Sequence, residues 1–74
     1  MTNGQSAYVF RVVREVDGEV EALSIDYGSL EETKHELLAN PGAFVGKYQR
    51  DHDGLAWWVS DYELHQNGWR DRPV

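Results

Sequence analysis

The chain has 74 residues, 41% of them hydrophobic and 27% charged, with 13 acidic against 7 basic side chains and a formal net charge of −6. This length supports one small domain and excludes a two-domain enzyme or a deep pocket walled by several layers, while the composition is that of a folded protein rather than a disordered one. The absence of cysteine excludes a disulfide framework and a zinc–thiolate site.

Neither a membrane span nor a signal peptide is predicted. No apolar run approaches the ~18 residues that a span requires. The first residues, MTNGQSA, contain neither a basic stretch nor an apolar core. We therefore expect a cytoplasmic protein without membrane contact, in which residues 1–74 form a single domain and residues 1–6 a flexible N-terminal segment.

The first predicted element is a hairpin over residues 7–26. An Asp-Gly pair at 17–18 separates two β-rich runs, which is typical of a two-residue type I′ turn. This turn fixes a register in which Val16 faces Glu19 and Arg14 faces Glu21. Continued along both strands, it pairs Val12 with Leu23, Phe10 with Ile25 and Tyr8 with Tyr27.

Residues 29–39 are predicted to form a helix. Ser29 and Glu32 have the spacing of a capping box, and Pro41 disfavours helical backbone at Asn40. Three leucines, at 30, 37 and 38, fall within about 100° on a helical wheel, so this stripe can pack on a sheet.

A second hairpin is predicted between residues 43–50 and 55–60. The length of its turn stays open: a two- or four-residue loop places Trp57 on the face of Phe44 and Tyr48, whereas a three-residue loop places Trp58 there. Adjacent residues of a strand point to opposite faces, so only one of the two tryptophans is expected in the core.

Residues 61–74 allow two interpretations. Ser60 and Glu63 could cap a short helix, or the strand continues to about Leu64 and turns at Asn67-Gly68, which returns Trp69 to the sheet. We favour the strand, so residues 61–74 are irregular or a short fifth strand.

Together these elements predict an α+β fold. It is an antiparallel sheet of four or five strands with one helix packed on one face, in the order ββαββ. The predicted core consists of Phe10, Val12, Leu23, Ile25, Leu30, Leu37, Leu38, Phe44 and Trp57.

The acidic residues are concentrated in one segment. Residues 15–36 contain eight of them against the single cation Lys34, whereas the rest of the chain has five acidic and six basic residues. Such a concentration costs stability through self-repulsion, and it is typical either of a surface that docks on a basic partner or of an exposed face that favours solubility. The predicted partner-binding residues are Glu15, Asp17, Glu19, Glu21, Glu31, Glu32, Glu36 and Trp58.

Aromatic and basic residues offer further binding hypotheses. The nine large rings exceed what one helix on one sheet readily buries, so some are expected at the surface, where Trp and Tyr often contribute to interfaces. The cations Arg11, Lys47, Arg50, Arg70 and Arg72, next to aromatic rings, could bind single-stranded nucleic acid, but the net charge of −6 argues against affinity for phosphate.

No catalytic, metal or cofactor site is predicted. His35, His52 and His65 share no metal-binding spacing, and no phosphate-cradling glycine run or nucleophile elbow is present. The stretch DHDG at 51–54 has the look of part of a calcium loop, but the ends of that loop would fall on Gln49 and Ser60, so a hairpin turn is favoured. We therefore predict a protein without enzymatic activity, metal or cofactor.

The layout of the chain resembles the small inhibitor proteins of phages and mobile elements, anti-CRISPR proteins among them. The stretches that carry this resemblance are AYVF at 7–10, SLEETK at 29–34 and DGLAWW at 53–58. The resemblance covers most of residues 7–60 as a layout and transfers no binding residue. It implies a non-catalytic protein that blocks a host complex handling nucleic acid.

From these observations we predict a small acidic protein that binds and inhibits a protein partner by occluding a basic nucleic-acid-binding surface, with no direct contact to nucleic acid. Two alternatives stay open. One is an accessory or immunity-type protein with a single cytosolic partner, and the other is a small binder of single-stranded nucleic acid.

Overall fold

The computed structural model describes residues 7–66 and 68–73, and it shows an α+β fold of five antiparallel strands and one helix. The elements are β1 Ala7–Val16, β2 Glu19–Ala22, α1 Leu30–Leu38, β3 Phe44–Arg50, β4 Ala56–His65 and β5 Gly68–Asp71. The strands lie in the order β2-β1-β3-β4-β5, and α1 contacts β1 and β3. The predicted fold class is confirmed. The expectation of a flexible segment at 1–6 falls outside the described residues.

The tip of the first hairpin follows its predicted register. Asp17 and Gly18 have φ angles of 53° and 84°, as a type I′ turn requires. Val16 lies opposite Glu19 and Arg14 opposite Glu21, with 3.8 Å between Arg14 Nη2 and Glu21 Oε1.

Beyond Leu23 the predicted register is wrong. The Leu23 N–H still bonds the Val12 carbonyl at 2.8 Å, but the Val12 N–H donates to the Ser24 hydroxyl at 2.9 Å instead of to a backbone oxygen. The chain therefore leaves the ladder for three residues and returns at Tyr27, which exchanges backbone hydrogen bonds with Phe10. Ile25, predicted as a core partner of Phe10, is 73% exposed because it lies in this detour.

Helix α1 is capped as predicted, but its buried stripe is shifted. The Ser29 hydroxyl accepts from the Glu32 N–H at 3.3 Å, and the Glu32 carboxylate accepts from the Gly28 N–H at 2.9 Å. Leu37 packs with Val12 and Val45 in the core. The second buried residue of the helix is Thr33, whose hydroxyl donates to the Leu30 carbonyl at 2.6 Å, and not Leu38.

The predicted burial of Leu38 is therefore wrong. On the wheel Thr33 lies on one side of Leu37 and Leu38 on the other, and the helix turns the Thr33 side to the sheet, which leaves Leu38 67% exposed. A polar hydroxyl is accepted in this position because it bonds within its own helix.

The second hairpin has the three-residue loop. The Asp51 N–H bonds the Leu55 carbonyl, the Asp51 carbonyl accepts from the Gly54 N–H, and Gly54 has a φ of 84°. This combination is the type I turn with a left-handed residue that such loops favour. Tyr48 therefore lies opposite Trp58, and Gln49 opposite Trp57.

A β-bulge interrupts the pairing of β3 with β4. Tyr48 pairs with Trp58 and Lys47 with Ser60, so Val59 has no partner across the ladder. The alternation of faces restarts after this extra residue. As a result Trp58 and Asp61, three positions apart, lie on the same face of the sheet.

Strand alternation separates a helix-covered face from an open face. The helix-covered face contains Phe10, Val12 and Val45, and the open face contains Val13, Phe44 and Tyr48. Phe44 is buried as predicted, at 4% exposure, but opposite Val13 on the open face. Leu23, Leu30, Leu64 and Trp69 pack around the helix-covered core.

Neither Trp57 nor Trp58 enters the core, so the prediction of a buried Trp57 is wrong. Trp57 is 60% and Trp58 57% exposed. The indole that packs against the core is that of Trp69, which β5 brings opposite Leu64. The strand interpretation of the tail is thus confirmed, with Asn67 of the predicted turn outside the described residues.

Candidate functional site

The tip of the first hairpin carries four carboxylates at the edge of the sheet. Glu15, Asp17, Glu19 and Glu21, which we call the acidic arm, are all exposed. Glu15 lies on the open face opposite Val20, whereas Glu19 and Glu21 point to the other side. Within residues 7–66 and 68–73, one ion pair involves the arm: it joins Arg14 to Glu21, between side chains that are about half exposed.

The three predicted helix carboxylates have structural contacts instead. Glu31 accepts from the Trp69 indole N–H at 3.2 Å and so connects α1 to β5. Glu32 completes the N-terminal cap, and Glu36 accepts from the Asn40 side-chain amide at 3.2 Å near the helix end. The sequence alone does not distinguish the helix carboxylates from those of the acidic arm, because both sets lie in the acidic segment 15–36.

Trp58 is held in a fixed orientation on the open face. Its indole Nε1 donates to Asp61 Oδ1 at 2.8 Å. This contact exists because the bulge at Val59 places both side chains on one face. The only hydrogen-bond donor of the indole is thereby satisfied, and the exposed part of the side chain is its apolar ring.

A groove of about 480 Å³ runs beside Trp58 and reaches the acidic arm. Its lining comes from Glu15 of β1, residues 58–61 of β4 and residues 71–73 at the end of β5. We call this feature the Trp58 groove. Among the seven predicted carboxylates, Glu15 is the one that lines the same groove as Trp58, at its far end, since Trp58 lies opposite Tyr48 and Tyr48 opposite Val9 of β1.

Arg72 forms the wall of the groove on the β5 side. Its backbone N–H donates to the Asp61 carbonyl at 2.8 Å, and its guanidinium carbon lies 3.9 Å from the centroid of the Phe44 ring. A guanidinium stacked on an aromatic face gains a cation–π contact and covers the apolar ring. Phe44 is thus buried on the face that lacks a helix.

On the same open face, Asp26 binds two arginines. Arg11 donates to it through Nε at 2.7 Å and through Nη2 at 3.1 Å, and Arg50 donates to its second oxygen. The hydrogen bond from Arg11 lowers the pKa of Asp26, although desolvation opposes this, and the same bond raises the pKa of Arg11. Arg11 also lies over the Tyr48 ring, and burial raises the pKa of Tyr48.

The basic residues proposed for nucleic acid therefore all have intramolecular partners. Arg70 Nε donates to Glu63 at 2.8 Å, which lowers the pKa of Glu63. Lys47 Nζ lies 4.3 Å from the centroid of the Tyr8 ring. Arg11 and Arg50 bind Asp26, and Arg72 stacks on Phe44. Each of the five basic residues proposed for nucleic acid therefore has a partner within the protein.

The DHDG stretch is organised as a turn. Asp51 Oδ1 accepts from the backbone N–H groups of Asp53 and Leu55 at 2.9 and 3.1 Å. Desolvation acts to raise the pKa of Asp51, but these N–H donors outweigh it and the pKa is lowered. Across residues 7–66 and 68–73, no group of three or more His, Asp or Glu side chains is placed to hold a metal ion.

Comparison of the chain with protein-family models, with curated proteins and with solved structures gave no match. In the part of the chain that the structure describes, no helix has the length and apolarity needed to cross a bilayer.

Proposed function

We propose that this is a non-enzymatic protein that binds and inhibits a protein partner, by placing its acidic arm and Trp58 on a basic nucleic-acid-binding surface. One observation carries the proposal: the Trp58 groove joins Glu15 of the acidic arm to an exposed indole. Charge and apolar contact area are thereby offered along one groove, a combination that is common in protein interfaces.

The acidic arm would supply attraction and orientation. Three of its carboxylates have no part in its ion pair, and a negative patch of this kind speeds association with a basic surface. Trp58 would supply apolar burial. More than half of its side chain is exposed, and covering that area contributes roughly 2–3 kcal/mol.

The ion pairs of the arginine side chains favour a protein partner over nucleic acid. Affinity for phosphate depends on cations that are available to replace counterions. Here Arg11 and Arg50 are bound to Asp26, and Arg70 is bound to Glu63. The helix carboxylates at 31, 32 and 36 are omitted from the proposed surface because each accepts a hydrogen bond from another part of the protein.

The test begins with capture of a partner on the immobilised protein and its identification by mass. The partner's binding to nucleic acid is then measured with increasing amounts of this protein. We expect inhibition that reaches completion at stoichiometric protein and that weakens as salt rises, with no binding of the protein itself to single-stranded DNA.

The adjacent tryptophans provide a matched pair of variants. Trp57 and Trp58 are almost equally exposed but lie on opposite faces. Trp58→Ala should weaken partner binding by about 30-fold or more, from the burial given above, whereas Trp57→Ala should leave it within about twofold. Equal effects of the two substitutions would contradict the proposed surface. A partner whose nucleic-acid binding is unaffected would favour the accessory or immunity-type alternative.

A further inference from the structure

The Trp58 groove combines a fixed aromatic ring with an excess of negative charge. Three carboxylates line it, from Glu15, Asp61 and Asp71, against the single guanidinium of Arg72. Arg72 is stacked on Phe44. The groove volume of about 480 Å³ lies within the range of small-ligand sites.

We propose that this groove binds one arginine side chain of the partner, with its guanidinium on the exposed face of Trp58 and directed at the Asp61 carboxylate. The inference rests on the proposed function, since it names the group that the same surface recognises. It goes beyond charge attraction because it assigns one side chain to one groove.

The state of the Trp58 indole favours a stacked cation. Its N–H is already bonded to Asp61, so the ring offers a π face and no donor. A cation over an indole face is attracted by the ring quadrupole, and indole is the strongest of the aromatic side chains in this respect. The same hydrogen bond fixes the ring before binding and so reduces the entropy lost on association.

The carboxylate next to the ring favours arginine over lysine. Asp61 Oδ1 accepts from the indole N–H at 2.8 Å, so this carboxylate lies at the edge of the ring. A guanidinium is planar, stacks on an aromatic ring and presents N–H groups in its own plane, so it can meet the ring and a carboxylate together. An ammonium is a compact, strongly hydrated charge that lacks this geometry.

A second copy of this chain is a poor source of that arginine. Two molecules of net charge −6 repel one another. The chain's own Arg11, Arg50 and Arg70 are bound to carboxylates. The arginine is therefore assigned to a basic protein partner.

The test is a titration of the ¹⁵N-labelled protein with N-acetyl-arginine amide, followed by NMR. The Trp58 indole signal is identified by its loss in Trp58→Phe. We expect this signal and the backbone amides of the groove to shift and saturate, while the Trp57 indole signal stays in place. Asp61→Asn, which keeps an oxygen that can accept from the indole N–H, should weaken the apparent affinity by about threefold or more, whereas Asp53→Asn, at an exposed carboxylate in the turn of the second hairpin, should not change it.

N-acetyl-citrulline amide, which has nearly the shape of the arginine probe without its charge, should bind at least about fivefold more weakly. N-acetyl-lysine amide should also bind more weakly than the arginine probe. Equal affinity of the citrulline probe, equal affinity of the lysine probe, or parallel shifts of both indole signals would each overturn the inference. The probe does not require the partner, so the two proposals fail separately. Saturation at Trp58 together with partner binding that survives Trp58→Ala would reject the proposed function alone.

Discussion

Asp26 connects three parts of the chain, and its removal should destabilise the fold measurably. It lies in the detour between β2 and α1 and binds Arg11 of β1 and Arg50 at the end of β3. The informative substitution is Asp26→Asn, because asparagine keeps the size of the side chain and removes its charge. Two neighbouring guanidinium groups would then face each other without a counterion.

The expected cost follows from the contacts. A hydrogen bond to a charged group contributes roughly 1.5–3 kcal/mol, and Arg11 makes a two-point contact with Asp26. Solvent screens the junction, since the Asp26 side chain is 22% and that of Arg50 41% exposed. We therefore expect Asp26→Asn to lower the free energy of unfolding by about 2–3 kcal/mol, which for this chain length lowers Tm by about 10 °C or more.

The effect should depend on pH in one direction. The pKa of Asp26 is lowered in the folded state, from a usual value of 3.8, because Arg11 bonds its charged form. The contribution of Asp26 to stability is therefore complete above the pKa of the unfolded chain and is lost as the pH falls through the lower folded value. Urea unfolding of both proteins at pH 7, 5 and 2.5 measures this difference.

The midpoints should differ by roughly 2 M urea at pH 7 and at pH 5, and by clearly less at pH 2.5. The control is Asp53→Asn, which changes the same charge at an exposed site and should shift the midpoint by less than about 0.5 M. A midpoint for Asp26→Asn equal to that of the unsubstituted protein at pH 7 would refute the assigned role. A difference that persists undiminished at pH 2.5 would show that charge is not its cause.

Three further substitutions test the packing, each by thermal unfolding. Gly46→Ala should cost about 1–3 kcal/mol, because an added Cβ would lie 2.8 Å from Cε1 of Tyr48, and an unchanged Tm would show that this ring moves freely. Trp69→Phe removes the hydrogen bond to Glu31 and part of a packed indole, so we expect a loss of about 1–2 kcal/mol, and no loss would mean that β5 contributes little. Ile25→Ser should change the free energy of unfolding by less than about 0.5 kcal/mol, whereas a large loss would place Ile25 in a core that the structure does not show.

The features that could be predicted from the sequence are those encoded by neighbouring residues. Positive φ at Asp17 and Gly18 and the Ser29 cap follow from signals within four residues. The register close to the first turn follows in the same way, because a two-residue loop leaves it no freedom. The fold class could be predicted because it depends on the order of such local elements.

The errors arise where side chains take over backbone hydrogen bonds or where a strand changes phase. Nothing in the sequence indicates that Ser24 would take the Val12 N–H, and that one bond moves Ile25 from the core to solvent. The bulge at Val59 likewise breaks the two-residue period of β4 and brings Trp58 and Asp61 onto one face, whereas a regular strand would separate them.

The sequence could predict which residue types the candidate site contains, but not which of them lie together. The sequence indicates an acidic segment and a surplus of aromatic rings. In the structure, different acidic residues of this segment contact different aromatic residues or line different surfaces. Glu31 belongs to a link with Trp69, whereas Glu15 lines a groove with Trp58. This division depends on tertiary packing, so proximity in the chain gave no information about it.

The bulge residue Val59 also has a consequence for changes in the length of β4, because its loss would not disturb the pairing with β3. Val59 faces no residue of β3, and the pairs on either side of it are in phase with their partners. Loss of this one residue would keep Trp58, Ser60 and every later position aligned as they are. A related chain that lacks this one residue could therefore retain the whole C-terminal hairpin. The same loss in the middle of β1, where each residue has a partner on β3, would instead move every later side chain of that strand to the opposite face of the sheet.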